Sequence, residues 1–236
     1  RKTGGNNALS ANFSLPFYLY NLNFSYLKSS NFFYSNSIRS DSNSNSRAVS
    51  IDRLLVKNKK TKISSGLAFN SRENNNFIED VRVESSSRKA SIISAHFSQT
   101  FFLKNATIFY KPSYSKGLRI LGGSDKTINS QHSEFDIFRF YGNYIQKFSL
   151  KEYQFSYNLA LDSQLAKQHL YSIDQFSVGG VYSVRGFKNG TISGDSGFNI
   201  RNEITFNLGQ FAKNSKLPLQ YFSLTPFYDY GYVENV

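Results

Sequence analysis

Three charged side chains near the end of the chain, Arg201, Glu203 and Asp229, have types and positions that could support specific chemistry. Apolar and polar residues alternate along 198–208 and along 226–232, which predicts two strands, each with an apolar face and a polar face. Arg201 and Glu203 share the polar face of the first strand, and Asp229 lies on the same face of the second. A guanidinium and two carboxylates on neighbouring strands can form ion pairs and hydrogen bonds.

The sequence contains no pattern typical of catalysis or of metal binding. The Ser, His and Asp residues form no nucleophile motif, and His96, His132 and His169 lack the spacing of metal ligands. Cysteine is absent, which removes thiolate ligands and disulfides. We therefore predict no enzyme activity, no metal and no other cofactor.

The stretch 175–203 is rich in glycine, and apolar residues are interleaved with the glycines. This pattern indicates tight backbone turns and close approach to another surface, so we expect an ordered loop. No Lys-Ser or Lys-Thr pair follows the glycines and no helix is predicted after them, which makes nucleotide binding improbable. Five glycines in the loop carry this interpretation: Gly179, Gly180, Gly186, Gly190 and Gly194.

Strands with period-two alternation extend along the whole chain. The clearest is 153–161, where aromatic and leucine side chains alternate with Gln, Ser, Asn and Ala. The pattern predicts about ten strands and no convincing helix. Apart from the clearest strand, the predicted strands lie near 9–15, 20–26, 47–57, 63–70, 93–101, 106–114, 134–146, 198–208 and 219–233.

The predicted connections between strands alternate in length. Short ones lie near Pro16–Tyr18, 58–60, 103–105 and 148–150, whereas long polar ones run near 30–46, 73–87, 115–133 and 163–196. The Ser/Asn-rich segment from Ser40 to Ser46 is low in complexity, so we expect it to be mobile. Short turns on one side and long loops on the other are typical of outer-membrane β-barrels.

Composition agrees with a β-barrel and disfavours other classes. Only 39% of the 236 residues are hydrophobic, yet 17% are aromatic, and this aromatic content argues against a disordered chain. No stretch is apolar for long enough to form a transmembrane helix. A soluble β-sandwich or propeller rarely places Tyr, Phe and Leu on one face of so many consecutive strands. The net charge of +12 suggests nucleic acid, anionic lipid or an anionic pore lining as alternatives.

Several motifs resemble those of the outer-membrane transporters of two-partner secretion, the haemolysin-activator or TpsB type (ShlB/FhaC/HecB). A run similar to the family's Phe-Ser-Ile/Val-Gly-Gly occurs at 176–180, and Ser-Gly-Asp-x-Gly occurs at 193–197. Arg-Asn-Glu occurs at 201–203, and the family's Phe-x-Asp-x-Gly motif is matched at 227–231. The family's tetrad, Val-Arg-Gly-Tyr/Phe, is matched by Val184, Arg185, Gly186 and Phe187.

The resemblance implies an all-β, antiparallel meander in which residues 1–236 form part of a sixteen-strand barrel, about strands four to thirteen. The chain begins with Arg1 and contains no Met, and we expect it to be an internal fragment without the family's POTRA domains, plug helix and closing strands. The resemblance also implies that the tetrad loop folds into the barrel and that Arg185 pairs with Asp229. The members of this loop anchor are Val184, Arg185, Gly186, Phe187, Arg201, Glu203, Phe227, Asp229 and Gly231.

The function implied by the resemblance is export of an unfolded exoprotein, a haemolysin- or haemagglutinin-like adhesin of the TpsA type, through a pore in the bacterial outer membrane. Outer-membrane lipid and this client are the expected partners of a monomeric barrel that does not bind nucleic acid. Three alternatives stay open: a BamA-like insertase, a passive porin, and a soluble β-rich adhesin. A polar lumen suits a sliding chain because it offers many weak hydrogen bonds and no adhesive apolar patch.

Overall fold

In the computed structural model, almost the whole described chain is β-strand. The structure describes residues 4–35, 38–83, 87–121, 134–151, 153–186, 190–207, 209 and 222–236. Its strands are β1 (Gly4–Phe17), β2 (Tyr20–Ser35), β3 (Ile38–Lys57), β4 (Thr61–Ile78), β5 (Val81–Arg82), β6 (Arg88–Phe102), β7 (Ala106–Leu118), β8 (Asp136–Leu150), β9 (Tyr153–Ala166), β10 (Phe176–Val178), β11 (Ile192–Gly194), β12 (Ser196–Asn207), β13 (Ser223–Leu224) and β14 (Phe227–Glu234).

The strands form a 12-stranded antiparallel meander in which neighbours in the sheet follow one another along the chain. The order is β1-β2-β3-β4-β6-β7-β8-β9-β12, after which β13 and β14 both pair with β12. This confirms the predicted fold class. Among the described residues β1 and β14 do not pair with each other, so the sheet is open. No helix of the described residues has the length and apolarity to cross a membrane.

One face of the sheet, the outer face, is apolar in its middle. Leu22 pairs with Ile51, Ile51 with Leu67 and Leu67 with Ala95, so residues of four strands form one apolar row. Leu67 is 54% exposed. A row of exposed aliphatic side chains on consecutive strands is what a wall in contact with lipid requires.

The opposite, inner face is polar. Asp52, Gly66 and His96 follow one another across β3, β4 and β6, and the His96 Nε2 lies 3.0 Å from the Asp52 Oδ1. A Cβ on Gly66 would lie 2.3 Å from that oxygen and 2.6 Å from the His96 ring, so glycine makes this contact possible. The alternation predicted from sequence therefore separates a lipid-facing side from a polar lumen side.

The short turns predicted at 58–60 and 103–105 are confirmed, between β3 and β4 and between β6 and β7, whereas those predicted at Pro16–Tyr18 and 148–150 lie slightly further along the chain. Phe17 pairs with Tyr20, so the first hairpin turns at Tyr18 and Leu19, whereas Pro16 is still part of β1. Tyr18 has a φ of 53°, the left-handed conformation that a two-residue hairpin turn demands. Proline is tolerated in a strand where it has no ladder hydrogen bond to donate, which is why Pro16 does not mark the turn.

The predicted mobile loop at 30–46 is wrong. β2 extends to Ser35 and β3 begins at Ile38, so Ser40–Ser46 lies within a strand that is paired on both sides. Its short polar side chains bond across the strands, with Ser42 Oγ 3.3 Å from Asn74 Oδ1 and Ser46 Oγ 3.2 Å from Asn70 Oδ1. Serine and asparagine are common in loops, but here they complete cross-strand hydrogen bonds.

Of the other three long connections predicted from the sequence, some are confirmed and some are wrong. β4 continues to Ile78 and turns into β5, so the predicted loop at 73–87 is mostly strand and a tight hairpin. β7 ends at Leu118, and residues 122–133 of the predicted loop at 115–133 lie outside the described residues, as does His132. The long connection predicted at 163–196 is confirmed as residues 167–195, which include the small hairpin of β10 and β11.

Buried hydrophobic residues lie where this connection packs against the inner face. One cluster joins Ile92, Phe135, Ile137 and Leu170. A second cluster joins Phe176, Val178 and Val184, with Val233 beside it. The core of the described part is therefore the contact between the 167–195 loop and the lumen wall.

Candidate functional site

The tetrad loop, residues 167–195, is held in shape by its own backbone and by three glycines. Val178 pairs with Ile192 across the β10–β11 hairpin. Gly179 and Gly180 then adopt φ angles of 122° and 84°, which residues with a side chain rarely adopt. The Gly179 N–H donates to the Ser183 hydroxyl oxygen, 2.8 Å away, which closes the turn before the tetrad.

Arg185 and Asp229 form the centre of the site. The Arg185 Nε and backbone N–H both donate to Asp229 Oδ2, at 2.7 and 3.0 Å, and Arg185 Nη2 donates to Oδ1 at 2.7 Å. The Asp229 side chain is only 1% exposed. A fork of two parallel bonds between a guanidinium and a carboxylate fixes orientation as well as distance.

Glu203 is a second carboxylate for the same arginine. Arg185 Nη1 lies 2.5 Å from Glu203 Oε1, and Arg201 Nη2 lies 3.2 Å from the same oxygen. The other oxygen of Glu203 accepts a hydrogen bond of 3.2 Å from the Asn158 amide on β9. Hydrogen bonds and charge from Asp229, and then from Glu203, raise the pKa of Arg185 above its usual value.

Phe227 and Gly231 flank the ion pair on β14. The Arg185 guanidinium carbon lies 3.9 Å from the centre of the Phe227 ring, a cation–π contact. A Cβ on Gly231 would lie 2.4 Å from a methyl group of Val178 and 2.8 Å from one of Val184. Glycine at 231 is therefore required for the loop's valines to pack against the wall.

Gly186 is needed for its backbone conformation and not for close approach to another surface. No atom of the described residues lies within 4 Å of the Cβ that a side chain would add there, but its φ is 103°. Glycine is needed at 186 because of the backbone conformation after Arg185. Phe187, the last residue of the tetrad, lies outside the described residues.

Sequence reasoning missed a second anchor, on another part of the wall. Asp174, in the first half of the tetrad loop, forms ion pairs with Arg72 of β4 and Arg88 of β6. The Arg88 guanidinium carbon also lies 3.7 Å from the centre of the Tyr171 ring. Asp174 and Arg88 are both buried. The loop is therefore tied to strands in the middle of the sheet through Asp174 and to strands near its C-terminal edge through Arg185.

A buried amide and a buried carboxylate connect the second anchor to the C-terminal end of the tetrad loop. Gln164 of β9 donates from Nε2 to the backbone oxygens of Asp174 and Asp195, both at 2.9 Å, and its Oε1 accepts from Arg139 at 2.7 Å. Asp195 in turn accepts hydrogen bonds from the backbone N–H groups of Leu170 and Val236. It also accepts hydrogen bonds from the side chains of His169 and Gln175.

These donors determine the charge of Asp195. Burial raises the pKa of the Asp195 carboxyl, but its hydrogen bonds outweigh burial and the pKa is lowered. The carboxylate stabilises the loop above the unfolded-state pKa of about 3.9, and this contribution is lost as the pH falls through the lower folded-state value. The loop is therefore fully anchored at neutral pH.

The second anchor leaves a weak signal in the sequence. Asp174 lies two residues before the Phe-Ser-Val-Gly-Gly run and immediately before the glycine-rich stretch at 175–203. Arg72 and Arg88 flank the predicted loop at 73–87 and lie outside the predicted strands 63–70 and 93–101. Only the true extent of β4 and β6 places these arginines on the lumen side. Within the part of the chain that the structure describes, no group of three or more His, Asp or Glu residues could hold a metal ion.

Comparison with known proteins agrees with this geometry. The sequence profile of the family "Haemolysin secretion/activation protein ShlB/FhaC/HecB" matches residues 1–236. The chain belongs to this family. It is 30% identical over 210 residues to the outer membrane transporter CdiB of Dickeya dadantii, covering 86% of this chain and 37% of that protein. It is 24% identical over 155 residues to the hemolysin transporter protein HpmB of Proteus mirabilis, covering 64% of this chain and 26% of that one.

Solved structures show the same fold for this ShlB/FhaC/HecB family member. CdiB from Acinetobacter baumannii matches with a TM-score of 0.81 at 23% identity, over 98% of this chain and 40% of that one. CdiB from Escherichia coli matches with a TM-score of 0.80 at 19% identity, over 95% of this chain and 47% of that one. The chain thus spans less than half the length of these relatives. Fold and family place it in the bacterial outer membrane.

Proposed function

We propose that the chain is the central part of a pore that exports an unfolded exoprotein across the outer membrane, with the tetrad loop controlling passage. The observation that carries the proposal is the anchoring of one loop to two separate parts of the lumen wall, through Arg185–Asp229 and through Asp174–Arg88. A loop held at both points covers part of the inner face, in the path that a polypeptide would take. Releasing one anchor would open that path without unfolding the wall.

The client in this proposal is a TpsA-type exoprotein, a haemolysin- or haemagglutinin-like adhesin. Membership of the ShlB/FhaC/HecB family and similarity to proteins named as hemolysin and CdiB transporters support it. The full-length protein would add POTRA domains that recognise the client and the strands that close the barrel. Residues 1–236 would then contribute the wall and the loop, and no catalytic residue is assigned.

Single substitutions at the first anchor test the proposal in the full-length protein. We expect Arg185→Ala and Asp229→Ala each to reduce client secretion on the order of tenfold, because each removes charge-assisted hydrogen bonds worth about 1.5–3 kcal/mol. Secretion is measured as client in the culture medium, and barrel insertion as heat-modifiable migration of the outer-membrane fraction. Arg119→Ala, which removes an exposed pair with Glu134, is the matched control and should secrete normally.

The alternatives give different outcomes. Normal secretion by both anchor variants would exclude control by the tetrad loop. A BamA-like insertase would, on depletion, reduce the amount of other barrel proteins in the outer membrane. A passive porin would show steady conductance in planar bilayers without any client.

A further inference from the structure

We propose that the outer face carries a binding site for the phosphate group of an outer-leaflet glycolipid, formed by Arg47 of β3 and Lys89 of β6. Neither residue belongs to the lumen or to the tetrad loop. The site concerns the membrane side of the wall and does not depend on what the pore exports.

The strand register places these cations directly beyond the apolar band. Phe24, Val49, Phe69 and Ile93 form one apolar row across four strands of the outer face. The next outward-facing positions form a row that contains Arg47. The row after that is Lys28, Asn45, Glu73 and Lys89. Successive outward-facing positions on a strand are about 7 Å apart, so the wall changes from apolar to basic within about two such steps.

The direction of the strands identifies the leaflet. The tight turns at Tyr18–Leu19 and at 58–60 lie at the opposite end of β2, β3 and β4 from these cations. The tetrad loop and the connection after β7 lie at the same end as the cations. In outer-membrane barrels the short turns are periplasmic and the long loops extracellular, so the basic rows lie at the level of the outer leaflet's headgroups.

The cations line a cavity rather than a flat surface. Its volume is about 440 Å³. One wall is built by the chain after β7, where Ser91 Oγ donates to the Ile120 carbonyl oxygen at 3.1 Å and Leu121 turns with a φ of 52°. The lining residues are Asn45, Arg47, Ser71, Glu73, Lys89 and Leu121.

The cavity has an excess of unpaired positive charge. Arg47, Lys89 and the neighbouring Lys28 are exposed, and within the described ranges none of them forms an ion pair. The single carboxylate, Glu73, accepts a hydrogen bond from Asn75 at 3.0 Å. Another arginine on this face, Arg39, is by contrast paired with Asp41 at 2.8 Å. Unpaired arginine and lysine in a concave site are suited to a phosphate group.

A glycolipid fits both halves of this surface at once. Its acyl chains would lie along the apolar rows of the outer face while its phosphate enters the cavity above them. Basic residues beside the hydrophobic span recognise anionic lipid headgroups in the same way at other membrane surfaces. A soluble anion gains nothing from the apolar rows, which is why the proposal commits to the lipid.

The test uses the full-length protein, purified in detergent and exchanged into nanodiscs of neutral lipid. The probe is bisphosphorylated lipid A, with dephosphorylated lipid A as the second ligand. We expect Arg47→Gln combined with Lys89→Gln to weaken binding of bisphosphorylated lipid A on the order of tenfold, since each basic residue near an anionic surface contributes to binding. Lys59→Gln combined with Lys60→Gln removes the same charge at the periplasmic turn and should leave binding unchanged.

Three results would overturn the proposal. The first is equal binding of bisphosphorylated lipid A by the Arg47/Lys89 variant and the wild type when both migrate as folded barrels. The second is binding of dephosphorylated lipid A by the wild type that equals its binding of the bisphosphorylated form. The third is complete displacement of lipid A by millimolar inorganic phosphate. The last result would identify a free-anion site instead of a lipid site.

Discussion

Arg185 is the residue on which the first anchor depends, because it contacts three side chains on two strands of the wall at once. Its guanidinium binds Asp229 on β14, contacts Glu203 on β12 and stacks on Phe227. Lysine has neither the planar fork nor the flat face that these contacts use. A lysine at 185 would preserve the charge and lose the geometry.

The second anchor gives a prediction at the same scale. Asp174→Asn removes the only side-chain charge that is paired with Arg72 and Arg88 among the described residues, and leaves the buried Arg88 and the partly buried Arg72 uncompensated. Breaking one partner of a buried ion pair costs about 3–5 kcal/mol. We expect amide hydrogen exchange across 169–175 to become at least about 100-fold faster, while exchange along β9 stays the same.

Asp41→Asn is the matched control for Asp174→Asn. It also breaks an arginine–aspartate pair, but the partner Arg39 is largely exposed, so the expected change is below about 1 kcal/mol. Equal exchange in Asp174→Asn and wild type would mean that this end of the loop is not held by the ion pairs.

The tetrad loop behaves as an element of its own, built from a short hairpin, a glycine turn and two ionic anchors. Its apolar side chains pack on the wall at two places, beside Gly231 and around Leu170. Its polar groups are satisfied both within the loop, where the Leu170 N–H donates to Asp195, and by the wall, where Gln164 donates to the Asp195 backbone oxygen.

A disulfide between loop and wall tests whether the loop must move. An ideal Cβ at residue 231 lies 2.8 Å from a methyl carbon of Val184, so a Val184→Cys, Gly231→Cys pair is close enough to join. All variants also carry Val178→Ala, which removes the methyl group that lies 2.4 Å from this Cβ. We expect oxidised protein to secrete little client and a reductant to restore secretion. Each single cysteine variant controls for the substitution itself. Undiminished secretion by the fully crosslinked protein would mean that the client passes without movement of this part of the loop.

β3 shows why local composition misjudged an element. Ser40–Ser46 reads as a mobile linker, because seven residues of Ser, Asn and Asp supply no apolar face. Pairing with β2 and β4 supplies hydrogen bonds to backbone and side chains instead, as in the contact of 2.7 Å between Ser30 and Asn43. Polar strands above the membrane are stabilised by their neighbours and not by burial.

For the whole molecule, the net charge of +12 is distributed over functionally different surfaces. Arg72, Arg88 and Arg185 lie on the lumen side and hold the tetrad loop. Arg47 and Lys89 face outward at the edge of the apolar band. Positive charge in this protein therefore serves anchoring inside the barrel and, in our proposal, lipid binding outside it.

The open sheet leads to a prediction for the isolated chain. Within the described residues β1 pairs only with β2 on one edge and β14 only with β12 on the other. Unpaired backbone groups are not tolerated in the hydrocarbon layer. We expect residues 1–236, expressed alone with a signal peptide, to give no heat-modifiable band in the outer membrane, whereas the full-length protein gives one. A heat-modifiable, protease-resistant band from the isolated chain would contradict this.

The sequence by itself determined the strands, their faces and the residues of the first anchor. Alternation along β9, β12 and β14 assigns each side chain to one face, because the side-chain period of a strand is two residues and does not depend on neighbours. The alternation alone therefore places Arg201, Glu203 and Asp229 on the polar, lumen side. The match of Arg185 with Asp229 followed from a family motif and not from spacing.

Only the tertiary structure decided where strands end and which distant residues meet. The length of a strand depends on pairing with its neighbours, so local composition did not reveal how long β3 and β4 are. The full length of β4 is what places Arg72 on the inner face. The approach of Asp174 to Arg72 and Arg88 joins residues separated by 102 and 86 positions. No local pattern encodes such a contact, because it depends on how far the sheet curves before the loop returns to it.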